Sequence, residues 1–173
     1  MKKNITHQVA FGGVIAALYV VLTWVASLAN MASGAIQVRL SEALTILPVF
    51  TAAAVPGLTV GCVLANALFG LGPWDIVLGS IATLLGAIGT RLLKNKPALA
   101  WLPPVISNML IVPAVLLLYH FPDVSVTLPF SGTTINASGY LPLMITVGIG
   151  EVISCGGLGM LMHGALKDKK LFT

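Results

Sequence analysis

The number of membrane spans in this 173-residue chain depends on residues 41–71, SEALTILPVFTAAAVPGLTVGCVLANALFGL. The stretch is apolar almost throughout, and it is long enough for one very long helix or for two short ones. A bilayer core about 30 Å thick needs roughly 20 helical residues. Pro56 and Gly57 stand near the middle, and a Pro-Gly pair favours a turn. The sequence therefore predicts a helical hairpin that turns at Pro56-Gly57.

Four other apolar stretches have the length of a membrane span, and they cover residues 7–29, 74–93, 99–119 and 140–166. The first of them is too long for the core of a cleavable signal peptide, so it counts as a span. Charged residues make up 8% of the chain, against about 25% in soluble domains. We therefore predict an all-α polytopic membrane protein of six transmembrane helices. One membrane domain would fill residues 1–173.

The basic residues fall into clusters that set the orientation. Cytoplasmic loops of membrane proteins are enriched in Lys and Arg. With a hairpin at residues 41–71, all three clusters and both termini face the cytoplasm. With one long helix, the middle cluster would face outside. The net charge of +4 then reflects orientation and does not indicate nucleic-acid binding. The clusters are Lys2 and Lys3; Arg91, Lys94 and Lys96; and Lys167, Lys169 and Lys170.

This orientation places the loop of residues 121–139 outside the cell. Apolar and polar residues alternate there around Pro129 and Gly132, which predicts a small β-hairpin.

No catalytic motif is visible. The chain lacks a GxxxxGK[ST] phosphate-binding loop, so we expect no ATPase of its own and no enzymatic activity. His7, His120 and His163 lack metal-ligand spacing, and we expect no metal and no cofactor. Cys62 and Cys155 lie within apolar stretches and indicate small buried thiols.

Glu151 is the most informative polar residue, because it falls near the middle of the last span. A carboxylate at the bilayer centre costs at least about 2.5 kcal/mol unless it is paired. Its partner is a ligand donor, a proton or a protein cation. The alternative role is a structural hydrogen bond between helices.

Arg39, Glu42 and Asp75 lie at the predicted outer ends of two spans. Arg39 and Glu42 are three residues apart, so they share a helical face. Together with Gln37, these residues either line an outward-facing cavity or form a salt bridge at the membrane interface.

Two amides and a stripe of small residues are further candidates. Asn66 and Asn108 either bind ligand or hydrogen-bond between helices. The stripe lies on one face of the fourth span, where it permits tight packing or the approach of a flat ligand. It comprises Gly79, Thr83, Gly86 and Thr90.

The first span carries two small-xxx-small pairs, Gly12 with Ala16 and Gly13 with Ala17. Such pairs let helices approach closely. They pack against another span of the same chain or dock onto a different subunit.

Several segments together resemble the QueT family. They are GAIQVRLSEAL at residues 34–44 with Leu47-Pro48, Gly57-Leu58 with Gly61-Cys62, Ala65-Asn66, and DIVLGS at residues 75–80 with ATLL at residues 82–85. The resemblance implies that residues 1–173 form the substrate-binding S component of an energy-coupling factor (ECF) transporter, a type of ABC importer, in the bacterial plasma membrane. It would dock through the first span onto a membrane coupling subunit that works with two ATPases. The family pattern at that docking face is AxxxA, whereas Gly12 and Gly13 stand here.

The resemblance also implies a 7-deazaguanine as the substrate: queuine, or its nitrile or aminomethyl precursor (preQ0 or preQ1). Glu151 would accept the ring N–H and the exocyclic amine, since a carboxylate accepts two parallel donors. Asn66 and Asn108 would bind the carbonyl and pyrrole groups, and Arg39 or Gln37 the carbonyl. An aminomethyl ammonium suits Glu42 or Asp75.

Two other functions remain open at this point. One is an S component for another vitamin. The other is a proton-coupled secondary transporter that uses Glu151, although the sequence contains no visible inverted repeat.

Overall fold

The computed structural model describes residues 5–29, 38–70, 72–119, 123–127 and 134–169. Six helices, numbered α1 to α6 in chain order, follow one another within these ranges, and the prediction of a polytopic all-α membrane protein is confirmed. They are Ile5–Leu28 (α1), Leu40–Val49 (α2), Ala54–Phe69 (α3), Asp75–Leu92 (α4), Leu102–Leu118 (α5) and Tyr140–Leu166 (α6).

The apolar segments that contain α1, α4, α5 and α6 are long enough to cross a membrane. The other two helices are shorter. The ten residues of α2 form a 3₁₀-helix, whose rise of about 2 Å per residue gives a length of roughly 20 Å. The 16 residues of α3 extend over about 24 Å at 1.5 Å per residue. The prediction of two short helices between residues 41 and 71 is therefore confirmed.

The predicted position of the turn between these helices is wrong. The chain turns at residues 50–53, where Phe50 N–H donates to Leu47 O at 2.9 Å. Pro56 and Gly57 instead lie in the first turn of α3. Proline is tolerated there because the first N–H groups of a helix have no acceptor within it.

Gly57 does not form a turn; it allows α3 to pack closely against α1. A Cβ at Gly57 would lie 2.6 Å from Gly12 O on α1, and a Cβ at Gly61 would lie 3.0 Å from Ala16 O. The backbones of α1 and α3 are therefore in contact. Gly12 and Ala16 are buried, whereas Gly13 and Ala17 remain exposed.

The helix α2 lies at the centre of the bundle. It packs against α1, α3, α4 and the middle of α6. Most of its side chains are buried, including the polar Ser41, Glu42 and Thr45. This position carries Glu42 into the interior. Outward-facing side chains of the surrounding helices, such as Val9, Trp24 and Leu161, are apolar and exposed, as lipid contact requires.

The hairpin predicted for residues 121–139 is confirmed. Strands β1 (Asp123–Thr127) and β2 (Thr134–Ser138) pair antiparallel, with Asp123 opposite Ser138 and Thr127 opposite Thr134.

Arg91 closes the opposite end of α2. Its Nη1 donates to Pro48 O at 2.9 Å and to Val49 O at 3.3 Å, which are carbonyls of the last turn of the helix. The last carbonyls of a helix have no donor within it. Arg91 therefore fixes α2 to α4 as well as contributing to the basic cluster.

We expect Arg91→Ala to lower the free energy of unfolding by about 1–3 kcal/mol, because it leaves half-buried carbonyl groups without a donor. Thermal and denaturant unfolding of the purified protein in detergent would measure the change. Lys94→Ala is the matched control, since Lys94 is exposed three residues further on. Equal stability of the two variants would contradict this role.

Candidate functional site

Two carboxyl groups meet in the interior of the bundle. Glu42 on α2 is 1% exposed and Glu151 on α6 is 4% exposed. One carboxyl oxygen of each glutamate and Cys155 Sγ all lie within 4.8 Å of one another. Glu42 and Glu151 are more than one hundred residues apart in the chain, and the sequence analysis did not predict that they meet. Two neighbouring carboxyl groups away from water are costly unless cations, protons or hydrogen-bond donors offset their charge.

The local structure of α6 positions Glu151 and Cys155. The α-helical conformation ends at Glu151, and residues Val152–Gly159 form a π-helix, a conformation found frequently at functional sites. Cys155 Sγ donates to Glu151 Oε2 at 3.3 Å. Thr45 on α2 donates to the same sulfur at 3.4 Å. The thiol thus connects the helices that carry the two carboxyl groups.

Two other helices complete the cluster. The Tyr19 hydroxyl on α1 donates to Glu42 Oε1. The Asn108 side chain on α5 interacts with both carboxyl groups. Glu42 Oε2 and the nearby Ser41 Oγ are buried without a hydrogen-bond partner in the part of the chain that the structure describes. A ligand with N–H donors would satisfy such an oxygen.

A cavity of about 100 Å³ lies beside this cluster, between the ends of α1, α2, α3 and α4. Arg39 and Asp75 line it together with Tyr19, Ser41 and Asn66. The charge of Arg39 interacts with Asp75 and also with both glutamates. Tyr19 belongs to the cavity wall and to the carboxyl cluster, so it connects the two.

Asp75 is held by close packing around its carboxyl group. It begins a short π-helical segment, Asp75–Gly79, at the start of α4. A Cβ at Gly70 would lie 2.6 Å from Asp75 Oδ2, and one at Gly79 would lie 3.3 Å from Oδ1. Asn66 Nδ2 donates to Asp75 O at 2.9 Å. The amide of Asn66 therefore supports the backbone that presents Asp75.

The structure thus brings most of the predicted site residues together. Glu42, Glu151 and Asn108 form the inner cluster, and Arg39, Asp75 and Asn66 line the cavity. Gln37 lies outside the described residues. Thr83 donates to Cys62 Sγ at 3.3 Å and does not line the described cavity.

The stripe of small residues on α4 makes packing contacts. Thr90 donates to Ala100 O at 2.7 Å, and a Cβ at Gly86 would lie 2.6 Å from Pro104 Cα on α5. Of the two predicted roles for this stripe, tight helix packing accounts for these contacts, and the approach of a flat ligand does not.

Tyr19 and Cys155 are site residues that the sequence analysis did not single out as functional. A signal for each was present. Tyr19 follows Gly12 and Ala16 along the small face of α1, and Cys155 lies four residues after Glu151, which places it on the same helical face.

Glu42, Glu151 and Cys155 are also close enough together to act as ligands of a metal ion. They combine two carboxyl groups, which suit hard cations, with a thiol, which suits soft ones. Cys155 Sγ and Glu42 Oε1 already take part in hydrogen bonds. These three side chains therefore suit an organic ligand with several N–H groups better than a metal ion, since no one class of metal prefers both carboxylate and thiol ligands here.

The apolar helices and the buried polar centre define a multi-pass helical membrane protein whose interior carries ionisable groups. The family model described as "QueT transporter" matches residues 9–168, and the chain belongs to this family of transporters. No solved structure matches the chain.

One relative is the protein named "Queuosine precursor transporter QueT" from Lactococcus lactis subsp. cremoris (strain MG1363). It is 35% identical over 86 residues, which are 49% of this chain and 50% of the relative. The match thus spans about half the length of that protein.

Proposed function

We propose that this protein is the substrate-binding S component of an ECF-type importer and that it binds a queuosine precursor, a 7-deazaguanine base. The observation that carries the proposal is the buried pair of carboxyl groups, Glu42 and Glu151, beside a polar cavity. The name of the Lactococcus relative supports the substrate class.

The chemistry of a 7-deazaguanine complements this pair. Its pyrimidinone edge presents a ring N–H and an exocyclic amine side by side, and a carboxylate accepts both in parallel hydrogen bonds. Glu151 would accept this pair of donors. Glu42 Oε2 would accept the remaining amine hydrogen, since this oxygen has no hydrogen-bond partner in the described part of the chain. Asn108 would fix the orientation of both carboxyl groups.

Substrate would enter from outside, where the cavity between α1 and α4 lies in the proposed orientation. A volume of about 100 Å³ is smaller than typical ligand pockets of roughly 300–1,000 Å³. We therefore expect the outer ends of these helices to move apart when a base enters.

Docking onto the coupling subunit would use the other end of α1. An apolar groove of about 420 Å³ lies there between α1 and α3. Gly12, Gly13 and Ala16 line it on one side, and Ala53 and Gly57 on the other. Exposed small residues such as Gly13 and Ala17 let a partner helix approach closely. ATP hydrolysis by the two partner ATPases would then drive release of the substrate inside.

A proton-coupled secondary transporter is the second candidate, and the mid-bundle position of Glu151 is the observation that favours it. Ionisable groups inside membrane spans are typical of proton pathways. A secondary transporter moves substrate alone along a pH gradient, whereas an S component needs its coupling subunit and ATPases.

Isothermal titration calorimetry with the detergent-purified protein tests the proposed ligand. We expect one-to-one binding of 7-deazaguanines with a Kd of micromolar or below, about −8 kcal/mol or stronger. Guanine, riboflavin, biotin and thiamine are the comparison ligands. Binding of one of these vitamins, with no heat from any deazaguanine, would overturn the substrate assignment.

Transport in liposomes separates the two modes of energy coupling. We expect uptake of labelled base only when the ECF coupling subunit, both ATPases and ATP are present. Uptake by this protein alone under a pH gradient would establish the secondary transporter instead.

A further inference from the structure

Tyr19 reaches the central pair of carboxyl groups from the wall of the cavity. Its side chain is 2% exposed, and its hydroxyl donates to Glu42 Oε1. Glu42 Oε2, the other oxygen of the same carboxyl group, is buried and has no hydrogen-bond partner within the described ranges. One carboxyl oxygen of Glu42 is therefore anchored to α1, and the other remains available to a ligand.

The position of Tyr19 is fixed by the close contact between α1 and α3. A Cβ at Gly61 would lie 2.8 Å from Tyr19 Cβ, so the backbone of α3 packs directly against the base of this side chain. One turn further along α1, Thr23 Oγ1 donates to Tyr19 O at 2.9 Å. A tyrosine side chain has only two rotatable χ angles. The buried hydroxyl is therefore held in one place relative to Glu42.

A series of polar contacts leads from two other helices to the Tyr19 hydroxyl. Asn66 Nδ2 on α3 and Thr83 Oγ1 on α4 donate to Cys62 Sγ at 3.4 Å and 3.3 Å. The Cys62 thiol in turn interacts with the Tyr19 hydroxyl, which donates to Glu42. Buried polar networks whose groups are satisfied make their members rigid. This network holds the hydroxyl in place from the side opposite to Glu42.

A carboxyl group that is anchored at one oxygen presents the other oxygen in a fixed direction. A glutamate side chain normally loses conformational freedom when it binds a ligand, and a side chain already held in place avoids much of this loss. A ligand N–H that meets Glu42 Oε2 therefore forms a favourable hydrogen bond. A ligand without this donor leaves a buried oxygen unpaired, which is costly.

We propose that Tyr19 is a positioning residue that directs Glu42 Oε2 toward the exocyclic amine of the base, and that the site thereby rejects bases without this amine. The inference rests on the proposed function, because it assumes a 7-deazaguanine held by its amine edge at Glu42 and Glu151. Tyr19 acts through Glu42 and sets selectivity at one position of the base.

Isothermal titration calorimetry tests this selectivity with 7-cyano-7-deazaguanine and 7-cyano-7-deazahypoxanthine, which differ only in the exocyclic amine. We expect the unmodified protein to bind the first base at least about tenfold more tightly, because the second leaves Glu42 Oε2 unpaired. Tyr19→Phe should weaken the first base about tenfold and the second less than about twofold. The phenylalanine ring keeps the packing against α3 but no longer holds the carboxyl group.

Combined substitutions test whether Tyr19 acts through Glu42. Glu42→Gln should show the same dependence on the amine. Adding Tyr19→Phe to Glu42→Gln should weaken the first base by less than about a further twofold, because two substitutions that remove one interaction are not additive. Tyr140→Phe is the matched control, since Tyr140 donates to Leu110 O on α5 and does not line the described cavity. It should change neither affinity.

Thermal unfolding without ligand checks that each variant is folded. Should Tyr19→Phe not fold, Glu42→Asp takes its place, because the shorter side chain withdraws the carboxyl group from the amine and should cause the same selective loss. An equal loss for both bases in the variant tested would show a purely structural role and overturn the inference. A further tenfold loss from Tyr19→Phe in the Glu42→Gln protein would also overturn it.

The two bases also separate this inference from the proposed function. Equal affinities of the unmodified protein for both would overturn the role of the amine and leave the proposed function standing. Failure of 7-cyano-7-deazaguanine to bind the unmodified protein would overturn the inference as well. The proposed substrate class would fall only if queuine and the aminomethyl base also failed to bind.

Discussion

Glu151→Gln is expected to weaken 7-deazaguanine binding roughly 10- to 150-fold. Hydrogen bonds to charged groups contribute about 1.5–3 kcal/mol, and about 1.4 kcal/mol corresponds to a tenfold change in affinity. Glutamine keeps the size of the side chain but replaces one acceptor oxygen by an NH₂ group, which opposes the N–H donors of the base. Calorimetry with the purified variant measures the loss.

The free variant should remain folded, because the glutamine side chain would still offer an oxygen to the Cys155 thiol, and thermal unfolding without ligand checks this. Asp168→Asn controls for the loss of one acidic group from an exposed position. Unchanged affinity in Glu151→Gln would exclude Glu151 from the binding site and leave it a structural role between helices.

Gly57→Val is expected to lower the stability of the helix bundle and to weaken ligand binding as well. The first side-chain atom at this position would lie 2.6 Å from the Gly12 carbonyl oxygen, which belongs to the backbone of α1 and cannot rotate away. The two helices would have to separate, and overpacking of this kind costs about 1–3 kcal/mol. The melting temperature in detergent should fall. Ligand affinity should fall too, because Tyr19 on the same face of α1 donates to Glu42.

Gly13→Val is the matched control for this substitution. Gly13 is on α1 one residue after Gly12, but a Cβ there would meet no atom within 4 Å. Its melting temperature should stay close to that of the unmodified protein. Equal destabilisation by both variants would show that the loss of glycine itself, and not the α1–α3 contact, is responsible.

Much of the fold was predictable because hydrophobic length alone determines how often a chain can cross a bilayer. The predicted span of residues 140–166 matches α6, and the span of residues 74–93 differs from α4 by one residue at each end. The turn at Pro56-Gly57 was wrong for a local reason. A Pro-Gly pair is compatible with a turn and equally with the first turn of a helix, and only the packing of Gly57 against Gly12 distinguishes these roles.

The candidate site could also be predicted only in part: its residues were identified, but their contacts were not. The cost of polar groups in hydrocarbon identified Glu151, Glu42, Asp75 and Asn108 individually. It did not show that Glu42 and Glu151 share one centre, or that Tyr19 joins them. Hydropathy carries no information about which faces of different helices meet.

The sequence by itself therefore determined the membrane class, the approximate spans and the residues whose burial needs a compensating partner. The physical reason is that span length and the cost of burying charge are properties of local sequence. Only the tertiary structure decided which of these residues act together. The central 3₁₀-helix α2 and the π-helical segments of α4 and α6 bring distant acids to one cluster and one cavity, and such long-range packing depends on the whole bundle.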